Sequence, residues 1–214
     1  MRSALKLPTI LWILLLFSWT FYRIFFQFSE QVDELLVKPI VWLGILILAV
    51  RFIEKRSLKS FGWTKEKLFQ NLYLGWGLGA LFAFEGMIAN AIKYRGMVFF
   101  PVGISLFDLF RTVLLSLVTG FTEETFFRGY LFTRLSSAFN NEIVGNILSS
   151  MAFAIIHLPI AIFLLQYNLL SIVSYEIILI TLGLANGFIF SKTKSVVAPT
   201  ISHALWNMTV MLFR

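Results

Sequence analysis

The chain has 214 residues, 58% hydrophobic and 14% charged, with a mean hydropathy of +0.83. Soluble domains carry ~25% charged residues, so an ordinary soluble globule is excluded and a single bundle of membrane-spanning helices is expected. The absence of cysteine excludes disulfides, thiolate-bound zinc and thiol catalysis, and the net charge of +7 needs no nucleic-acid partner, because cytoplasmic loops of membrane proteins collect Lys and Arg.

Met1 to Lys6 is short and basic, and an apolar stretch from Leu7 to Tyr22 follows. No small-residue cleavage site follows it, so it reads as a retained first span with Arg23 near its far end. Ser29 to Lys38 reads as an acidic loop holding Glu30, Asp33 and Glu34. A second span is expected from Pro39 to Phe52, then a basic loop with Arg51, Lys55, Arg56, Lys59, Lys65 and Lys67. The third span covers Leu68 to Ile92, and Leu106 to Leu135 reads as one long helix carrying Glu123 and Glu124. Ile143 to Leu165 is bent or ended by Pro159, and Leu169 to Phe190 and Val196 to Phe213 complete the set.

The expected architecture is therefore all-α: a polytopic transmembrane helix bundle of about seven to eight spans of ~20 residues, forming one domain over residues 1–214. With the N-terminus inside and alternating spans, the loops with Lys55 to Lys67, Arg134, and Lys192 with Lys194 fall inside, and the Glu30 to Glu34 segment falls outside. Lys93 and Arg95 are the exceptions on the outer side.

Ionisable groups at membrane depth are costly and mark candidate sites. Both histidines of the chain, His157 and His203, lie in apolar runs, and a third run holds Glu123-Glu124. Neighbours on a helix point about 100° apart, so the two carboxylates cannot share one task. Glu124 and Arg128 stand at i and i+4 with the acid first, the favourable order for a helical ion pair. Glu123 is then free to act as a base, although both carboxylates also suit a structural ion network. Phe153 shares a face with His157, and His203 with Asn207; interhelical hydrogen bonding would explain either pair viewed alone. Counted from the inner helix ends at ~1.5 Å per residue, Glu123 and Asn207 lie roughly 18 Å deep, His157 about 21 Å and His203 about 12 Å. Three helices thus bring polar groups to a similar layer. Glu85 and Glu176 fall on the outer halves of their spans and are expected outside the site, while Gly183 with Gly187, and Gly75, Gly77 and Gly79, are expected to serve helix packing.

Several membrane-protease chemistries are absent: there is no H-E-x-x-H, no G-x-S-x-G, and of the two aspartates, Asp33 and Asp108, the first is expected in a loop. What remains is Glu-Glu-x-x-x-Arg, then Phe-x-x-x-His, then His-x-x-x-Asn, in that order on three polar-bearing spans. This pattern resembles the CPBP family of intramembrane proteases, the CAAX-protease and bacteriocin-processing group also called Abi. Glu123-Glu124 with Arg128 and Gly129 resembles its first motif, Phe153 with His157 its second, and His203 with Asn207 its third. The resemblance covers about Thr119 to Asn207, within a family-like core of about 106–213; the spans over about 7–92 match only in kind.

The resemblance implies peptide-bond hydrolysis within the membrane. Glu123, supported by His157, would activate water, His203 and Asn207 would stabilise the oxyanion, and Glu124 with Arg128 would orient the site. No cofactor is favoured. The alternative is zinc held by Glu123, His157 and His203, since two His and one Glu suffice for a catalytic zinc with an open position. The implied partners are the bilayer and a peptide or protein substrate, lipid-modified or membrane-inserted, and the short loops suggest a bacterial plasma membrane. Competing readings are a non-catalytic membrane protein for bacteriocin self-immunity or peptide binding, and a small transporter, the latter without a visible inverted repeat.

Overall fold

The computed structural model describes residues 2–26, 28–94 and 104–212. Arg95, Phe213 and the side chain of Lys93 lie outside the described residues. Among the described residues every regular element is helical, and seven helices are long: α1 Arg2–Phe25, α2 Glu30–Ile53, α3 Leu68–Tyr94, α4 over residues 106–139, α5 Glu142–Leu164, α6 Leu169–Thr193 and α7 Val197–Leu212. Four of them, Ala4–Phe25 of α1 together with α2, α5 and α6, are long and apolar enough to cross a membrane. The shortfall in α4 and α7 has visible causes. α7 has 16 residues, about 24 Å of helix against a ~30 Å hydrocarbon core, and α4 carries the Glu123, Glu124, Arg128 and Arg134 charges.

Local chemistry sets the helix ends. Ser105 Oγ accepts from Asp108 N at 3.0 Å and donates to Asp108 Oδ2 at 2.6 Å, capping α4. Asn140 ends α4 in the left-handed region at φ 50°, and Asn141 Oδ1 at once caps α5 by accepting from Ile143 N and Val144 N. Asn168 Oδ1 caps α6 through Ser171 N, and Lys194 at φ 52° ends it. Pro159 cannot donate to the Ile155 carbonyl; α5 opens into a turn at Ile156–His157 and then resumes to Leu164.

Two expectations are corrected. The acidic segment is not a loop: it is helical from Glu30, and Asp33 and Lys38 within it are buried. Arg51, expected in the basic loop, belongs to the last turn of α2. Three of the long helices also depart from α geometry. Asp33–Val37 of α2, Thr125–Phe132 of α4 and Ile160–Leu164 of α5 are π-helical, a feature common near functional sites.

Lipid tails supply no hydrophobic drive between helices, so close backbone approach and interhelical hydrogen bonds hold them together. α6 lies on α5 through Gly183 and Gly187; a Cβ on Gly187 would fall 1.8 Å from Asn146 Oδ1, whose amide donates to Leu184 O at 2.9 Å. Gly75 and Gly79 abut α7 in the same way, whereas Gly77 faces open space. Gly129 of α4 admits the short helix Leu58–Phe61, since a Cβ there would stand 2.4 Å from Phe61 O. An aromatic core of Trp42, Phe126, Phe127 and Phe153, with edge contacts at 5.1–6.0 Å, joins α2, α4 and α5.

Candidate active site

α4 changes from α to π geometry immediately after Glu124, and the two adjacent carboxylates diverge there. Glu124 points into the packed interior. Its Oε1 accepts from Arg128 Nη1 at 3.1 Å, Asn186 Nδ2 at 3.0 Å and His203 Nδ1 at 2.7 Å. Both side chains of the Glu124–Arg128 pair are fully buried, and the guanidinium stacks over the Phe153 ring at 4.7 Å.

Glu123 takes the other side. Its Oε1 accepts from Lys38 Nζ at 2.9 Å. Its Oε2 is buried and has no hydrogen-bond partner, yet it stands 3.7 Å from His203 Nε2 and 3.9 Å from His157 Nε2. The tautomer of His157 follows from its other contact. Nδ1 lies 2.7 Å from the Phe153 carbonyl, which can only accept, so Nδ1 carries a proton and the neutral ring turns the Nε2 lone pair toward Glu123. His203 Nδ1 likewise donates to a carboxylate. The Phe153 ring edges both imidazoles, at 4.9 and 5.6 Å between centroids.

A cavity of about 950 Å³ reaches this point, lined among others by Lys38, Glu123, His157, His203, Trp206 and Asn207. Glu124 and Arg128 lie behind it, and neither Glu85 nor Glu176 lines it. Of the six expected site residues, four therefore share the cavity and two form the packed support. One relation differs from the sequence reading: His203 meets Glu124 and Glu123, and Asn207 is half-buried at the cavity wall.

Sequence reasoning missed Lys38, Glu34 and Asn186. Asn186 is a fully buried amide inside an apolar span, a signal available from intramembrane polarity alone. Lys38 and Glu34 were hidden by the loop assignment; once the helix starts at Glu30, they stand at i and i+4 and pair at 2.5 Å.

The metal alternative can be tested on these distances. Two N or O ligands at ~2.1 Å on a tetrahedral ion stand about 3.4 Å apart, closer than the 3.7 and 3.9 Å found here. An ammonium also already occupies the same carboxylate at 2.9 Å and would repel a dication. No group of three His, Asp or Glu side chains among the described residues is arranged to hold a metal. As they stand, these residues do not fit zinc.

Residues 105–209 match the family described as Type II CAAX prenyl endopeptidase Rce1-like. The match covers just under half of the chain and agrees with the CPBP resemblance of the three motifs. No curated protein and no solved structure matches the chain. The Rce1-like segment comprises essentially all of α4 to α7 and carries Glu123, Glu124, Arg128, His157, His203 and Asn207, whereas α1 to α3, with Glu34 and Lys38, precede it. The match supports a protease working on peptide or protein substrates in a membrane environment.

Proposed function

We propose that the chain is an intramembrane endopeptidase in which Glu123 activates water. The observation that carries this reading is the unpartnered Glu123 Oε2, buried beside two imidazole Nε2 atoms at a large cavity. Glu123 Oε2 and His157 Nε2 both present lone pairs, 3.9 Å apart. A water between them gives one hydrogen to each and turns its oxygen toward the cavity. As that oxygen bonds to the scissile carbonyl carbon, its proton passes to Glu123 and the carbonyl electron pair moves onto oxygen. His203, its Nδ1–H held by Glu124, turns Nε2 toward this oxyanion and in the imidazolium form donates to it, with the Asn207 amide as the second donor. Collapse of the intermediate breaks the C–N bond, and the proton held by Glu123 leaves with the amine. Arg128 and Asn186 keep Glu124, and through it His203, in place.

We further infer a chain of seven spans in a bacterial plasma membrane with its N-terminus in the cytoplasm, since the basic segments then fall on one side. The Trp19, Phe163, Tyr175 and Trp206 rings around the cavity suit an apolar substrate segment, including a lipid-modified one.

The test is cleavage of a quenched-fluorescence peptide library, with and without prenyl groups, by purified protein in lipid nanodiscs. Glu123→Gln should lower turnover by about 10³-fold, within the range for a general base, and His203→Ala by about 10²–10³-fold, in protein that still unfolds cooperatively. Activity retained in both variants would reject the reading.

A further inference from the structure

Lys38 sits inside the bundle with 7% of its side chain exposed, on a helix that precedes the Rce1-like segment. Its ammonium contacts Glu34 Oε2 at 2.5 Å and Glu123 Oε1 at 2.9 Å, and lies over the rings of Trp19 and Trp42 at 5.3 and 5.8 Å. Glu34 is fixed in turn by Thr119, whose hydroxyl donates to the same Oε2 at 2.8 Å. We propose that Lys38 is a positioning residue for the reaction: it clamps one oxygen of Glu123 so that the other faces the two imidazoles. This assignment rests on the hydrolytic reading of Glu123 given above.

A buried ammonium needs one counter-charge, and Glu34 already supplies it from four residues away on the same helix. The bond to Glu123 is therefore not needed to neutralise Lys38. Counted together, Lys38, Glu34 and Glu123 carry one negative charge in excess, the charge a base requires. A carboxylate is free to rotate about its last torsion, and its two oxygens are equivalent until something distinguishes them. Lys38 does so. With Oε1 held by the ammonium, Oε2 is the atom left to meet His157 and His203. The ammonium is held by a carboxylate, two indole rings and the π-helical turn Asp33–Val37, whose last bond runs from Lys38 N to Asp33 O. Such second contacts keep a reacting group within the narrow geometry that catalysis needs.

A structural tie between α2 and α4 would give the same distances, so the test reads the chemistry as well as the fold. Full-length Lys38→Ala, wild type and Glu123→Gln are compared in nanodiscs on one cleavable peptide, with and without ethylammonium chloride. Lys38 lines the cavity, so the small amine has access to the space the variant opens. The expected result is a kcat about 10²-fold lower with KM changed by less than about threefold, and recovery of about tenfold in ethylammonium. Glu123→Gln should gain nothing from the amine. A Lys38→Ala protein that keeps wild-type kcat overturns the assignment, as does a folded, slow variant that the amine fails to restore. If Lys38→Ala does not fold, the double variant Glu34→Leu/Lys38→Met removes the whole pair; normal kcat there also overturns it, and a kcat loss at unchanged KM supports it. Equal cleavage by wild type and Glu123→Gln would instead reject the hydrolytic reading itself, whatever Lys38 does.

Discussion

The sharpest division among the residues is between two neighbours. Each keeps one oxygen without a hydrogen-bond partner, but Glu124 takes three donors on the other inside the packed interior, while Glu123 takes only Lys38 and lines the cavity. The Glu124–Arg128 half of this was readable from the i, i+4 spacing. The His203 contact was not, because its partners are 79 residues apart and no periodicity links them. Breaking one side of a buried pair strands the other charge, at a cost of about 3–5 kcal/mol. Arg128→Met alone should therefore destabilise strongly, and Glu124→Gln/Arg128→Met should recover much of the loss. Denaturant unfolding of the two variants in detergent measures the difference; equal stability would mean that the pair carries no mutual charge compensation.

Element by element, the order of apolar runs was legible and their internal geometry was not. Pattern reasoning assumes 3.6 residues per turn, and the π-helical stretches over Asp33–Val37 and Thr125–Phe132 lie beside the residues of most interest. The start of α2 was misread because Glu30, Asp33 and Glu34 looked solvated, yet Asp33 finds Arg23 at 2.6 Å and Tyr22 at 2.5 Å on α1. Gly129 shows how packing supports the motif helix. With Phe61 O only 2.4 Å from a would-be Cβ, Gly129→Val must push the Leu58–Phe61 turn away from α4. A stability loss of about 1–3 kcal/mol is expected, the usual cost of overpacking. Chemical denaturation checks it, and an unshifted midpoint would show that the turn yields freely.

Across the whole molecule, the proposed orientation rests on where the basic segments fall. The segment between α2 and α3, with Lys55, Arg56, Lys59, Lys65 and Lys67, lies at the opposite end of α2 from Ser29. The chain has no native cysteine, so single replacements report location cleanly. In intact cells a membrane-impermeant maleimide should label Ser29→Cys and spare Lys59→Cys until the cells are opened; the reverse pattern would invert the orientation. The site itself assembles from both halves of the chain, α4, α5 and α7 giving the carboxylate, imidazoles and amide, and α2 the ammonium. On the proposed reading Glu123 and the imidazoles activate water by themselves, and turnover needs no metal. Wild-type protein stripped with a strong chelator and verified metal-free by mass spectrometry should cleave its peptide at the untreated rate; loss of turnover restored by one zinc ion per chain would contradict this and assign the chemistry to a metal.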